Sequence, residues 1–230
     1  MMKENRFVLS MVAFSLMGVS GISQAGVSAN LGIASQYYFR GVQQTTGAAA
    51  QGGIDYAHDT GLYAGLWGSN VGGHEVADQS PASTDDDPLG IEVDYYLGYK
   101  GELKDFSYGI GYTLYTYTGD FDTEYSEVNL TAGYSMFGLE FSSGTHDVIG
   151  GPDQDYTFTA LTFEYMDITA TYGAWGSDLD GTYFEIGFAR EISEIEFGIS
   201  LINGDAEANA KNVATDGTAL VITIGKEFDL

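Results

Sequence analysis

The stretch Ile91-Glu92-Val93-Asp94-Tyr95-Tyr96-Leu97-Gly98-Tyr99-Lys100 holds the fold in miniature. Ile91, Val93, Tyr95, Leu97 and Tyr99 are apolar or aromatic, while Glu92, Asp94, Tyr96, Gly98 and Lys100 fall between them. Successive side chains of a strand point to opposite faces, so this order makes one apolar face and one charged face. A helix would scatter both sets around its circumference.

The same period of two extends in both directions. Upstream, Val27, Ala29, Leu31, Ile33, Tyr37 and Phe39 interleave with Ser28, Asn30, Gln36, Tyr38 and Arg40, which predicts a first strand ending at Arg40. Weaker strands are predicted near 49–57 and 62–71. In the latter, Leu62/Ala64/Leu66 and Tyr63/Trp67/Val71 compete for the apolar face. Downstream the apolar sets are Phe106/Tyr108/Ile110/Tyr112/Leu114, Val128/Leu130/Ala132/Tyr134, Phe137/Leu139/Phe141 and Leu161/Phe163/Tyr165. Ile168/Ala170/Tyr172, Phe184/Ile186/Phe188, Ile195/Phe197/Ile199/Leu201 and Leu220/Ile222/Ile224 complete the series. The total is about twelve strands, each near the ~9–11 residues a tilted strand needs to cross a bilayer.

The connections between them alternate in length. Longer ones cover 40–48, 72–89, 118–124, 144–155 and 203–217, with 177–181 short for its class. Shorter ones cover 58–61, 101–105, Ser135–Met136, the region of Met166–Asp167, and 190–194. Outer-membrane barrels have short periplasmic turns and long external loops, whereas a soluble β-sandwich has no reason to alternate. A spanning sheet must leave no open edge, because unpaired backbone groups are costly in hydrocarbon. The expected fold is all-β: a transmembrane, antiparallel, up-and-down barrel with both termini in the periplasm. Tyr95, Tyr99, Tyr112, Tyr134, Tyr165 and Phe188 at strand ends suit interfacial girdles.

Composition agrees. The chain of 230 residues has 17 Tyr, 13 Phe, 32 Gly, 3 Pro and no Cys. Lys3 and Arg6, the apolar run Phe7 to Val19, and Ser23-Gln24-Ala25 have the layout of an export signal cleaved after Ala25. The expected organisation is a signal peptide over 1–25 and one barrel over 26–230. Loss of Lys3, Glu4 and Arg6 leaves 6 basic and 32 acidic residues, net −26 against −25 for the whole chain. That balance excludes nucleic acid as a partner. Outer-membrane lipid, lipopolysaccharide and small hydrophilic or cationic solutes fit it.

Ser35-Gln36-Tyr37-Tyr38-Phe39-Arg40-Gly41, followed by Gln44, resembles the opening signature of the TorF family of porin-like proteins. Gln51-Gly52-Gly53-Ile54-Asp55-Tyr56-Ala57-His58 is similar to that family's second strand, and Gly61-Leu62-Tyr63-Ala64-Gly65-Leu66-Trp67-Gly68-Ser69-Asn70-Val71 to its third. Glu92-Val93-Asp94-Tyr95-Tyr96-Leu97-Gly98-Tyr99 continues the likeness, which is specific over 27–117 and generic beyond. Tyr117-Thr118 stands where the family carries Tyr-Pro. The resemblance implies an outer-membrane, porin-like protein; it brings no substrate and no catalytic residues.

With the apolar sets facing lipid, their neighbours face the lumen. The predicted lining is Arg40, Asp55, Glu92, Asp94, Lys100, Glu127, Glu140, Glu164, Glu185 and Glu196. Inward carboxylates favour passage of cations. Alternatively Tyr38, Tyr96, Tyr115, Tyr117 and Trp175 fill the barrel, giving a non-conducting wall. Arg40 is expected either to pair across the lumen with Asp55 or Glu92 or to serve as a buried ion pair fixing register. Divalent cations are conceivable at Glu75, Asp78, Asp85-Asp86-Asp87 and Asp120-Phe121-Asp122-Thr123-Glu124, bridging to lipopolysaccharide rather than filling a site. The three histidines are His58, His74 and His146, the last two in predicted external loops. His146 has Ser142, Ser143 and Asp147 nearby, but neighbours on a strand point to opposite faces. No catalytic set, metal or cofactor is therefore expected. Phe228 resembles the terminal aromatic that barrel-assembly machinery reads, although Asp229 and Leu230 follow it.

Overall fold

The computed structural model describes residues 25–73, 89–119, 121–204 and 217–230. The predicted signal peptide, apart from Ala25, lies outside them, as do His74, Glu75, Asp78, Asp85–Asp87 and Asp120.

The strands are β1 (Gly26–Ala34), β2 (Tyr38–Phe39), β3 (Val42–Gln43), β4 (Ala49–Ala57), β5 (Leu62–Val71), β6 (Gly90–Leu103) and β7 (Phe106–Tyr117). They continue with β8 (Tyr125–Tyr134), β9 (Phe137–His146), β10 (Gln154–Tyr165), β11 (Ile168–Ser177), β12 (Thr182–Ile192), β13 (Ile195–Gly204) and β14 (Gly217–Asp229). All except β2 and β3 form one closed, antiparallel barrel in sequence order. Closure is made by β1, which pairs Ala29 with Ile54 of β4 on one side and with Phe228 of β14 on the other. The barrel thus has twelve strands.

Apart from Tyr37 and Phe39, the apolar sets named above point outward. Strand β5 resolves the competition: Leu62 is 56% exposed and Trp67 is 3% exposed. Leu97, Ile110, Leu130, Phe141, Ile186, Ile199 and Ile222 also stand on the outside. In water such a surface would be prohibitive for a folded monomer; in a bilayer it is the solvated face. Among the described residues no helix is long and apolar enough to cross a membrane.

One end carries tight turns in which non-glycine residues take left-handed conformations: Lys104, Ser135, Met166, Ser193 and Glu194. This turn end faces away from the loop end, where 35–48, 121–124, 147–153 and 178–181 lie. The first strand departs from the expectation. It stops at Ala34, and Tyr37 to Arg40 leave the wall. Ser35 and Gln36 break the alternation there, and Ser35 caps the end by hydrogen bonding through its NH to the Ile222 carbonyl. Beyond it, β2 and β3 form a minute hairpin pairing Phe39 with Val42. Its turn, Arg40-Gly41, has φ of 48° and 83°. Positive φ at both central residues matches the twist of the flanking strands, and glycine is the favoured second residue.

The candidate functional site: a hairpin across the lumen

Segment 35–48 folds into the barrel. Its base is tied to the loop end: Gly72 NH donates to the Gln44 carbonyl at 2.8 Å, and Tyr37 NH donates to Thr45 Oγ1 at 2.8 Å. Its tip reaches the far wall. The Arg40 guanidinium holds Glu127 through two bonds of 2.8 and 2.9 Å, Glu140 at 2.6 Å and Ser142 Oγ at 3.0 Å. The Arg40 carbonyl accepts from Trp175 Nε1 at 3.1 Å. The guanidinium also lies over the Phe158 ring, 4.3 Å from its centroid. A planar fork suits a bidentate carboxylate and an aromatic face together, which an ammonium does not.

The surroundings complete the cluster. Tyr115 Oη donates to Glu127 at 2.7 Å and Tyr156 Oη at 3.0 Å, while Asn129 Nδ2 donates both to Glu127 and to Ser142 Oγ. Glu127 is 1% exposed and therefore needs these donors. Phe39 packs edge-on against Tyr115 and Trp175, and Phe158 stacks near Tyr183. Gly41 is demanded by this packing as well as by φ, since a Cβ there would lie 2.5 Å from Tyr183 Cβ.

Two cavities flank the hairpin. One of about 580 Å³ occupies the turn side; one of about 50 Å³ lies on the loop side between Phe39, Tyr117, Tyr125 and Leu179. Phe39 is the one residue common to both linings.

The predicted site residues divide accordingly. Arg40, Glu127 and Glu140 are brought into one cluster. Arg40 does not pair with Asp55 or Glu92, as expected from a position on the wall, because it stands on a hairpin tip that reaches across to β8 and β9. Asp55 instead accepts from Tyr96 Oη at 2.5 Å and from Asn30 Nδ2 at 3.4 Å, with Lys100 close enough to act on it. Glu92 accepts from Tyr37 Oη at 3.3 Å and lies beside Asp94; both are buried, and neither has a basic partner among the described residues. Glu185 is buried on β12, Glu164 stands at the turn-side mouth, and Glu196 is half-buried near the same end.

Sequence reasoning missed Tyr37 and Phe39, which were placed on the lipid face, along with Ser142, Asn129 and Phe158. The available signal was Tyr-Phe-Arg-Gly-Val-Gln itself, in which Arg-Gly between two short pairs reads as a hairpin turn. His146 also differs from the expectation of a loop residue. It ends β9, is buried, and stacks on Tyr125 with centroids 3.8 Å apart. Its Nε2 lies 2.8 Å from Thr123 Oγ1 and its Nδ1 3.3 Å from Gln154 Oε1. Ser142 bonds to Arg40 and Asn129, so the Ser142, His146 and Asp147 string does not converge. Among the described residues no group of three or more His, Asp or Glu side chains is placed to hold a metal ion.

Fold and lumen define a class: a porin-like transmembrane β-barrel. Residues 19–228 match the family described as "Bacterial protein of unknown function (Gcw_chp)", and the chain belongs to that family. No curated protein matches. Among solved structures, the chain is similar to "KdgM porin" at 9% identity and a TM-score of 0.52, covering 88% of this chain and 99% of that one. A second, "KdgM porin in complex with disordered oligogalacturonate", matches at 7% identity and a TM-score of 0.50, covering 89% and 99%. Escherichia coli outer membrane phospholipase A matches at 9% identity and a TM-score of 0.46, covering 89% and 92%, a looser overlap. At these identities the shared property is the fold.

Proposed function

We propose that this chain is an outer-membrane channel of a Gram-negative bacterium, narrowed by its own segment 35–48, through which small hydrophilic solutes diffuse with a preference for cations. The observation behind this reading is a lumen bearing buried carboxylates and a cavity of about 580 Å³ inside an exterior of apolar side chains. Glu92, Asp94, Asp55, Glu164, Glu185 and Glu196 outnumber the inward bases, and their field attracts cations and opposes anions. The turn end faces the periplasm and the loop end the outside. Export by a signal cleaved after Ala25 belongs to the same proposal, supported by β1 beginning at Gly26. The role in this reading is passive: Ser142 is engaged by Arg40 and Asn129, while His146 stacks on Tyr125 and meets Thr123 at the loop end. The TorF resemblance at Tyr37-Tyr38-Phe39-Arg40-Gly41 agrees with this reading.

Single-channel recording of the refolded chain in a planar bilayer under a salt gradient tests it. Small discrete steps with a cation-selective reversal potential are expected, and neutralising Glu92 and Asp94 reduces that selectivity. A second reading, a non-conducting barrel, draws on the filled loop half, where Phe39, Tyr115, Tyr156 and Trp175 meet. A heat-modifiable barrel that stays silent even without the hairpin would establish that second reading.

A further inference from the structure

The cavity on the turn side, like the Glu92–Asp94 pair towards the loop end, holds carboxylates without a basic partner, and here they border open space. Its roof is the Arg40 tip, whose charge is already consumed by Glu127 and Glu140. Below that roof, Glu185 and Glu164 line the space, and neither forms an ion pair among the described residues. Glu185 is nine-tenths buried and sits across the strands from Thr171. Thr223 lines the same cavity, is buried, and its hydroxyl has no hydrogen-bond partner. A buried hydroxyl without a partner is uncommon and costly unless something else meets it.

We propose that this turn-side cavity is a binding site for small organic ammonium ions, with Glu185 as the charge partner and Thr223 as a second polar anchor. The inference rests on the channel reading of the lumen. Its volume falls in the ~300–1,000 Å³ range of pockets for small molecules, which admits a solute of diamine or amino-acid size. Arg40 is engaged by Glu127 and Glu140, and Lys104 lies at the exposed rim beside Glu102 and Asp105, so the buried charge left facing the space is that of Glu185. An anion finds repulsion from Glu164 and Glu185, and a neutral polyol finds no partner for their charge. An ammonium group satisfies Glu185 while its carbon chain lies against Ile202 and Tyr183. Glu164 at the mouth draws the cation in from the turn end.

The test is titration calorimetry on the refolded chain in detergent at low salt, with 1,4-diaminobutane as probe and 1,4-butanediol and succinate as isosteric controls. One saturable diamine site per barrel is expected, with both controls at least tenfold weaker. Glu185→Gln should weaken the diamine roughly tenfold and Thr223→Val a few-fold, as expected for loss of a charged and a neutral hydrogen bond. Should Glu185→Gln fail to refold, Glu164→Gln is read in its place, with a several-fold loss expected. Equal binding of the diol, non-saturable binding, or undiminished affinity in the refolding variant overturns the site. Binding needs no conductance, so a silent barrel that binds the diamine removes only the channel reading, and a conducting barrel that ignores it removes only the site.

Discussion

The two halves of the lumen are built on the same strands but by opposite means. Towards the loop end the inward positions carry Trp67, Tyr115, Tyr156, Phe158 and Trp175, and an inserted hairpin is clamped among them by Arg40. Towards the turn end the inward positions carry Thr131, Gly138, Thr162, Thr171, Gly187 and Thr223, around open space. The outward faces of both halves are alike. The contrast shows that the period-two pattern establishes the barrel, while the size of the inward side chains at each level decides where it is open.

Removing the obstruction is the most forceful way to break the contrast. Replacing 36–44 by a short Gly-Ser link should raise single-channel conductance several-fold. An unchanged conductance would mean that the hairpin does not limit passage. Next, Arg40→Met leaves Glu127 and Glu140 buried without a counter-charge. It should lower stability by about 3–5 kcal/mol in urea titration of the liposome-reconstituted barrel. A loss below 1 kcal/mol would show that the cluster is solvated.

A matched pair on one strand sharpens the comparison. A Cβ on Gly144 would meet Tyr156 at 2.5 Å and the Ser126 carbonyl at 2.6 Å, whereas on Gly138 its nearest neighbour is Thr162 at 3.7 Å. Gly144→Ala should cost about 1–3 kcal/mol and Gly138→Ala should be near neutral by the same titration. Equal effects would deny the difference in packing. The smallest effect belongs to the exposed Lys226–Glu194 pair, 2.9 Å apart at the turn end. Lys226 holds the Glu194 carboxyl below its ordinary range. Whatever stability this adds is present above the unfolded carboxylate pKa and fades as pH falls through the folded one. Screening makes it slight, so Glu194→Gln should leave the urea midpoint unmoved at neutral pH and moderate salt.

Most of the fold was legible in the residues. Twelve strands, the lipid faces of all but 62–71 and the alternation of connections follow from local order, and the weak pair at 49–57 and 62–71 has the bounds of β4 and β5. Position in the lumen was harder. Tyr37 and Phe39 resume the alternation after Ser35, so period alone carries them along the wall. Ser35 and the Arg40-Gly41 turn are the marks of their departure. The partners of Arg40 were unreadable for a different reason. The predicted inward acids stand on seven strands, and the choice of Glu127 and Glu140 depends on how far the hairpin crosses the barrel, which no spacing encodes.

That crossing has a consequence for assembly. Arg40 lies 87 and 100 residues ahead of Glu127 and Glu140 and 135 ahead of Trp175, so every part of its seat is made later than the hairpin itself. A chain threaded to its midpoint has a guanidinium with nowhere to dock. The seat exists only once β8 to β11 have joined the wall, and a docked Arg40 therefore signals a barrel close to completion.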